Sequence, residues 1–467
     1  MFIQKKNFFN KYFFISSVIF FTPFFLNFYN YSGNKFLFFI FHLCALGLFL
    51  IIIQKKTSAF EFFFYIFLLL SFWFKFSCIL YFDDIKVVEG DFNLSVANYD
   101  RPMFIIIITF IACILASLVK KILFFSTSLG CQFKIKDSFL FFYKKHRILI
   151  IYLVVIFLIF IWFSNFNYKI YSKGLVNNNI YSVIKYFYSW CLTYGLAVLV
   201  SQLIYIDFHV FNKKKIFILG FIEAFFTNVV LYSRAFLLIS SAYLRGFLLL
   251  IQSTKNFRIP KFYIFKFVFV ICIFFFISFY SVKQLRSSFF HKPNSYLNAV
   301  SMTETINEIK YLLINRWVGI DALLSVSQSN KLNFAFFLSA WKEQKEVRNN
   351  SFYINHFFNS FKYSDQEEAN VNIVITPGLI AFLLYSGSAF LIFFSVFFII
   401  LISVSIEKFF YLLSFGNIIL SNIIGYSLAL RLIHFGYVPS NTINFSISFL
   451  VTLFGVYIMS KIIWKKV

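Results

Sequence analysis

One apolar run follows another along the whole chain, and each is about as long as a helix that crosses a membrane. A helix rises about 1.5 Å per residue, so about 20 residues span a ~30 Å hydrocarbon core. Twelve runs meet that length, at about 13–30, 36–53, 59–82, 103–119, 148–164, 185–206, 216–232, 235–251, 263–282, 377–404, 409–430 and 443–462. Only Ser233 and Arg234 separate the seventh from the eighth, and the two together are too long for one crossing, so a tight hairpin is expected there. With 60% hydrophobic and 13% charged residues, the chain cannot fold as a water-soluble domain. The expected fold class is therefore all-α, a polytopic membrane protein of about twelve helices. Spans 1–9 fill residues 1–282, a large loop fills 283–376, and spans 10–12 fill 377–467. The Phe-rich N-terminus has no small-residue cleavage site and reads as a first span rather than a removed signal.

The net charge of +25 would suggest nucleic acid in a soluble protein, but here most of the cations flank apolar runs, where they set topology. With the N-terminus inside, the inner segments hold 22 Lys and Arg and the short outer loops hold seven. That bias predicts cytoplasmic termini and an external large loop, with membrane lipid and not nucleic acid as the surroundings. The six cysteines show no metal-ligand or CxxC spacing, and the sequence contains no P-loop, GxGxxG, HExxH or GxSxG pattern. No cofactor and no metal are expected.

In the large loop, ETINEIKYLLINRWVGIDALL repeats apolar residues at steps of three and four, which predicts one amphipathic helix over 304–324 with Arg316 on its apolar side. The planar fork of that guanidinium suits either an ion pair with a loop carboxylate such as Asp321 or a phosphate. Arg234 stands in the expected hairpin, and Arg431 and His434 close span 11 three residues apart. Thr376-Pro377-Gly378 opens span 10 with a candidate N-cap and a proline at N1, which would leave free N–H groups for an anion. Glu223 falls near the middle of span 7, where a charge must pair with a base or line a cavity. Lys75 and Arg245 lie close enough to span ends to snorkel.

These features resemble the bacterial O-antigen or oligosaccharide repeat-unit polymerases (Wzy-type), relatives of the O-antigen ligases. The likeness covers about half the chain, residues 216 to 436. It rests on Ser233-Arg234 at a helix turn, Arg316 to Gly319 in a late loop, T-P-G-L-I with Gly387-Ser388 further along, and Arg431 to Gly436. The resemblance implies a metal-independent glycosyltransferase that joins undecaprenyl-pyrophosphate-linked oligosaccharides into O-antigen or capsular polysaccharide at the outer membrane face. It implies substrate contacts from Arg316, Arg234, Arg431, Arg286, Glu223, Thr376 and Gly378. The acceptor hydroxyl needs a base, for which His434 is the first candidate and His356 the second. A chain-length regulator protein is an expected partner. The competing readings are a lipid-linked oligosaccharide flippase and an O-antigen ligase.

Overall fold

The computed structural model describes residues 16–29, 31–54, 57–82, 99–123, 133–171, 181–211, 214–233, 235–253, 261–290, 314, 317–343, 351–357, 376–436, 439 and 441–466. Among these, the apolar runs become helices α1 (Ser16–Asn27), α2 (Lys35–Ile52), α3 (Ala59–Tyr81), α4 (Asp100–Leu123), α5 (Asp137–Tyr168), α6 (Ser182–Phe211), α7 (Ile218–Val230), α8 (Phe236–Ser253) and α9 (Lys261–Phe290). The loop contributes three short helices, α10 (Ile320–Ser327), α11 (Phe334–Trp341) and α12 (Phe352–Phe357). The chain then forms α13 (Leu379–Leu384), α14 (Ala389–Leu413), α15 (Ile418–Ile433) and α16 (Asn441–Ile463). Two three-residue strands, β1 (Phe133–Ile135) and β2 (Trp464–Lys466), pair antiparallel.

Nine of these helices are long and apolar enough to cross a membrane; α1, α7 and α15 are apolar but shorter. The protein is therefore a polytopic, helical, membrane-embedded one. The hairpin expected at 231–235 is present, turning through Tyr232 at φ +53°. Span 10 differs from expectation. It was expected as one run over 377–404, but it breaks into α13 and α14 at Gly387, whose φ of +70° a continuous helix does not allow.

Two apolar cores divide the molecule. One gathers mainly residues of α1–α4 and α10–α14, joined by Val198 of α6, Ala242 of α8 and Phe449 and Val456 of α16; the other gathers mainly residues of α5–α9. Helix α15 is the wall between them, because Leu420 and Ile424 face the first core while Ile419 and Ile423 face the second. Steps of four keep each pair on its own side. Small residues let this wall pack closely on both faces. A Cβ on Gly425 would lie 2.5 Å from the Phe60 nitrogen of α3, and one on Gly246 of α8 would lie 2.9 Å from the Ile419 Cα.

Buried charges stand at both ends of the first core. At the end opposite the loop helices, here called the foot, Ser58 and Glu61 form a capping box that opens α3. Glu61 also accepts from Ser117 (2.8 Å) and pairs with Lys120 of α4. Glu407 of α14 takes the Ala59 and Phe60 amides at 2.9 and 2.7 Å and the Ser421 hydroxyl at 3.1 Å. Arg245 does not snorkel. It binds Asn422 and the Thr57 carbonyl and lies over the Phe62 ring. In the second core, Arg147 holds the fully buried Asp207 with two nitrogens, at 2.6 and 3.1 Å.

Candidate functional site at the cap of the bundle

The loop helices α10–α12 and the short α13 cover the other end of the first core as a cap. Lys75, near the end of α3, is 2% exposed and pairs with Asp321 of α10 at 2.7 Å, so it does not snorkel either. Arg101 of α4 donates to the Ser327 carbonyl at the far end of α10. Both ends of α10 are thus tied to the bundle.

The helix expected over 304–324 does not run through. Residues 304–313 and Arg316 itself lie outside the described residues, and α10 begins only at Ile320. The cause is Gly319, at φ +134°, where a Cβ would meet the Phe72 ring at 2.7 Å. A backbone at that φ cannot belong to an α-helix. Of the periodic apolar residues only Trp317, Ile320 and Leu324 are described, and α10 is buried on every side.

Gly319 is one of three glycines that meet here. A Cβ on Gly378 (φ +81°) would lie 3.1 Å from the Ile433 carbonyl, 3.4 Å from Val318 and 3.5 Å from the Gly319 Cα. A Cβ on Gly436 (φ +99°) would lie 2.8 Å from Pro377. The Gly378 amide donates to the Phe435 carbonyl at 3.1 Å. Trp317–Gly319, Pro377-Gly378 and Arg431–Gly436 are thus joined backbone to backbone, which explains why each segment carries a glycine. The expectation that Thr376 caps the following helix over an anion site is corrected. Gly378 is the N-cap, its own N–H is already bonded, and α13 has six residues, too short for a useful dipole.

Arg431 stands at the edge of this junction, in the last turn of α15. Its Nε is buried without a hydrogen-bond partner. Its guanidinium lies 5.4 Å from the centre of the Phe445 ring, and its electrostatic neighbours are the phenols of Tyr194 and Tyr171. No described carboxylate pairs with it. Tyr194 belongs to a π-helical segment of α6 (Cys191–Gly195), and Phe72 to one of α3 (Leu69–Phe74). Such widened turns are often found at functional sites, where they redirect a side chain.

Both candidate histidines turn Nδ1 onto the carbonyl four residues back: His434 onto Leu430 and His356 onto Phe352, each at 3.0 Å. A carbonyl only accepts, so Nδ1 carries the proton in both rings. His434 is the C-cap of α15, the structural role weighed against a catalytic one. His356 stacks on Phe352 at 4.3 Å.

Glu223 lies away from the cap, in the second core. It accepts from Thr227 and Tyr243, each at 2.9 Å, so hydroxyls hold it rather than the base that was expected. Arg234 lies outside the described residues, and Arg286 falls in the last turns of α9. Sequence reasoning missed Glu343, just past α11, which accepts from the Phe352 amide at 2.8 Å. Nothing in EQKEVRNN distinguishes it from its charged neighbours.

No protein-family model matches the chain, and no curated protein and no solved structure is similar to it.

Proposed function

We propose that the chain polymerises lipid-pyrophosphate-linked oligosaccharide repeat units at the outer face of a bacterial cytoplasmic membrane. The observation that carries this reading is Arg431. A guanidinium that is partly desolvated, with no acid beside it among the described residues, is an incomplete ion pair there, and an anionic ligand would complete it. Its setting fits a pyrophosphate carried on a lipid. The site is at one end of an apolar bundle, between helices a prenyl chain can lie against. By the distribution of Lys and Arg, that end is the outer one. There the leaving pyrophosphate gains a fixed positive charge as the glycosyl bond breaks, the kind of preorganised charge that contributes most to such transfers. No nucleotide is needed, since the pyrophosphate already activates the donor. A bacterial origin, undecaprenol as the lipid and a chain-length regulator as partner belong to the same proposal.

The test is deletion of the gene, followed by complementation with wild type or Arg431→Gln. Deletion should leave single repeat units on their lipid, exposed outside the membrane, and wild type should restore polymer. Arg431→Gln should reach the membrane in normal amount and make no polymer. Repeat units retained on the cytoplasmic leaflet would identify a flippase instead. Free polymer that fails only to reach its final acceptor would identify a ligase. Normal polymer from Arg431→Gln would sink the role given to the arginine.

A further inference from the structure

Building on that reading, we propose that Glu343 is the general base of the transfer, the group that takes the proton from the acceptor hydroxyl. Its position supports this first. Glu343 follows α11 by two residues, and the Trp341 ring at the end of that helix packs on Phe435 (5.6 Å) and Phe382 (5.4 Å). Phe435 adjoins His434 and accepts the Gly378 amide, so this packing brings the end of α11 onto the glycine junction, at whose edge Arg431 stands.

The carboxylate is also held in a way that leaves it available. One oxygen, Oε1, accepts the Phe352 amide, and the other makes no hydrogen bond with a described residue. Close enough to feel its charge is Tyr385, a fully buried phenol whose hydroxyl has no hydrogen-bond partner among the described residues. An unpaired buried hydroxyl is costly, and a polar group arriving between it and the carboxylate would satisfy it. An acceptor sugar presents several hydroxyls, any of which could serve. Burial raises the carboxyl above the usual carboxylate range, and the Phe352 N–H only partly offsets this. A raised pKa makes a better proton acceptor near neutrality.

The histidines are the competing bases. In each, Nδ1–H is committed to a main-chain carbonyl, which fixes the ring along its own helix and leaves Nε2 as the proton acceptor, so they are tested beside Glu343. In the step itself, Glu343 takes the hydroxyl proton while the acceptor oxygen bonds to the anomeric carbon of the donor. The bond from that carbon to the pyrophosphate oxygen breaks, and its electron pair leaves with the pyrophosphate beside Arg431.

The experiment uses the full-length protein in lipid nanodiscs, with the lipid-linked oligosaccharide that accumulates when its gene is deleted. Glu343→Gln can still accept the Phe352 amide but cannot take a proton. It should keep its melting temperature and its binding of the lipid-linked oligosaccharide, and lose about 10²- to 10⁴-fold in transfer rate. Wild type should lose rate as the medium is acidified, with the midpoint above that of an ordinary carboxylate, and this acid limb should be missing from the residual activity of Glu343→Gln. Glu343→Asp should recover part of the rate, and His434→Gln and His356→Gln should retain most of it. A normal rate and pH profile in Glu343→Gln would overturn the assignment and leave the polymerase reading intact. Failure of wild type to transfer would overturn both.

Discussion

The foot and the cap of the first core both bury charge, and they treat it in opposite ways. At the foot, Glu61, Glu407 and Arg245 each have several partners, down to the amides that open α3. At the cap, Lys75 and Asp321 pair in the same manner, but Arg431 a short distance away has no described anion and Tyr385 has no described acceptor. Complete pairing is what a structural joint needs, because a buried charge left alone destabilises the fold. Such groups are not confined to the cap, since His42 Nε2 and both amide atoms of Gln202 are also buried without a hydrogen-bond partner among the described residues. At the cap, however, they lie beside a backbone built around three glycines, where the proposed ligand would complete the set.

The comparison breaks most readily at the foot. Glu407→Ala would leave the Ala59 and Phe60 amides unbonded, at a cost of about 1–3 kcal/mol each, and would remove a carboxylate whose charge favours the Arg245 guanidinium. Little folded protein should reach the membrane, as read by detergent extraction and gel filtration; normal recovery would mean the foot is not a joint. At the cap, Arg431→Gln should leave thermal stability unchanged or raise it, while transfer falls about 10²- to 10³-fold. A large fall in melting temperature with activity retained would reverse the roles of the two ends. Between them, Gly425→Ala should force α15 away from α3 at a cost of about 1–3 kcal/mol, measured by thermal unfolding in nanodiscs. The smallest effect belongs to His434→Gln, which loses at most one capping hydrogen bond worth about 0.5–1.5 kcal/mol. A transfer defect as deep as that of Glu343→Gln would return His434 to the role of base.

The foot and the cap were not equally legible in the sequence. Among the described residues the apolar runs announced the helices of the bundle apart from the break at Gly387, because a long hydrophobic segment in lipid must satisfy its backbone internally, which a helix does within itself. The short loop helices were less visible. Their ends are set by Gly319 and Gly378, where the cause is a ring or a carbonyl supplied from another part of the chain. Lys75 looked like a snorkelling residue since its partner Asp321 lies 246 positions away. The segments that meet at the glycine junction were singled out correctly, but as candidate ligand contacts. Their glycines turn out to serve close backbone packing, and Gly378 rather than Thr376 caps α13. Glu343 had no pattern to betray it.

The shared wall has a mechanical consequence. A carrier that alternates between two openings generally needs a seam along which one half can rock against the other. Here the helix between the halves has successive residues divided between both cores and is clasped on each flank at a glycine, and Arg245 of α8 reaches past it to the Thr57 carbonyl and the Phe62 ring. Tilting either half would carry α15 with it and pry it from the other side, so the two halves are fastened together. Such a body gives little room for a rocking cycle. On the proposed polymerase reading, it offers a long lipid a fixed flank, along which substrates would arrive sideways from the bilayer and a growing chain would leave at the end.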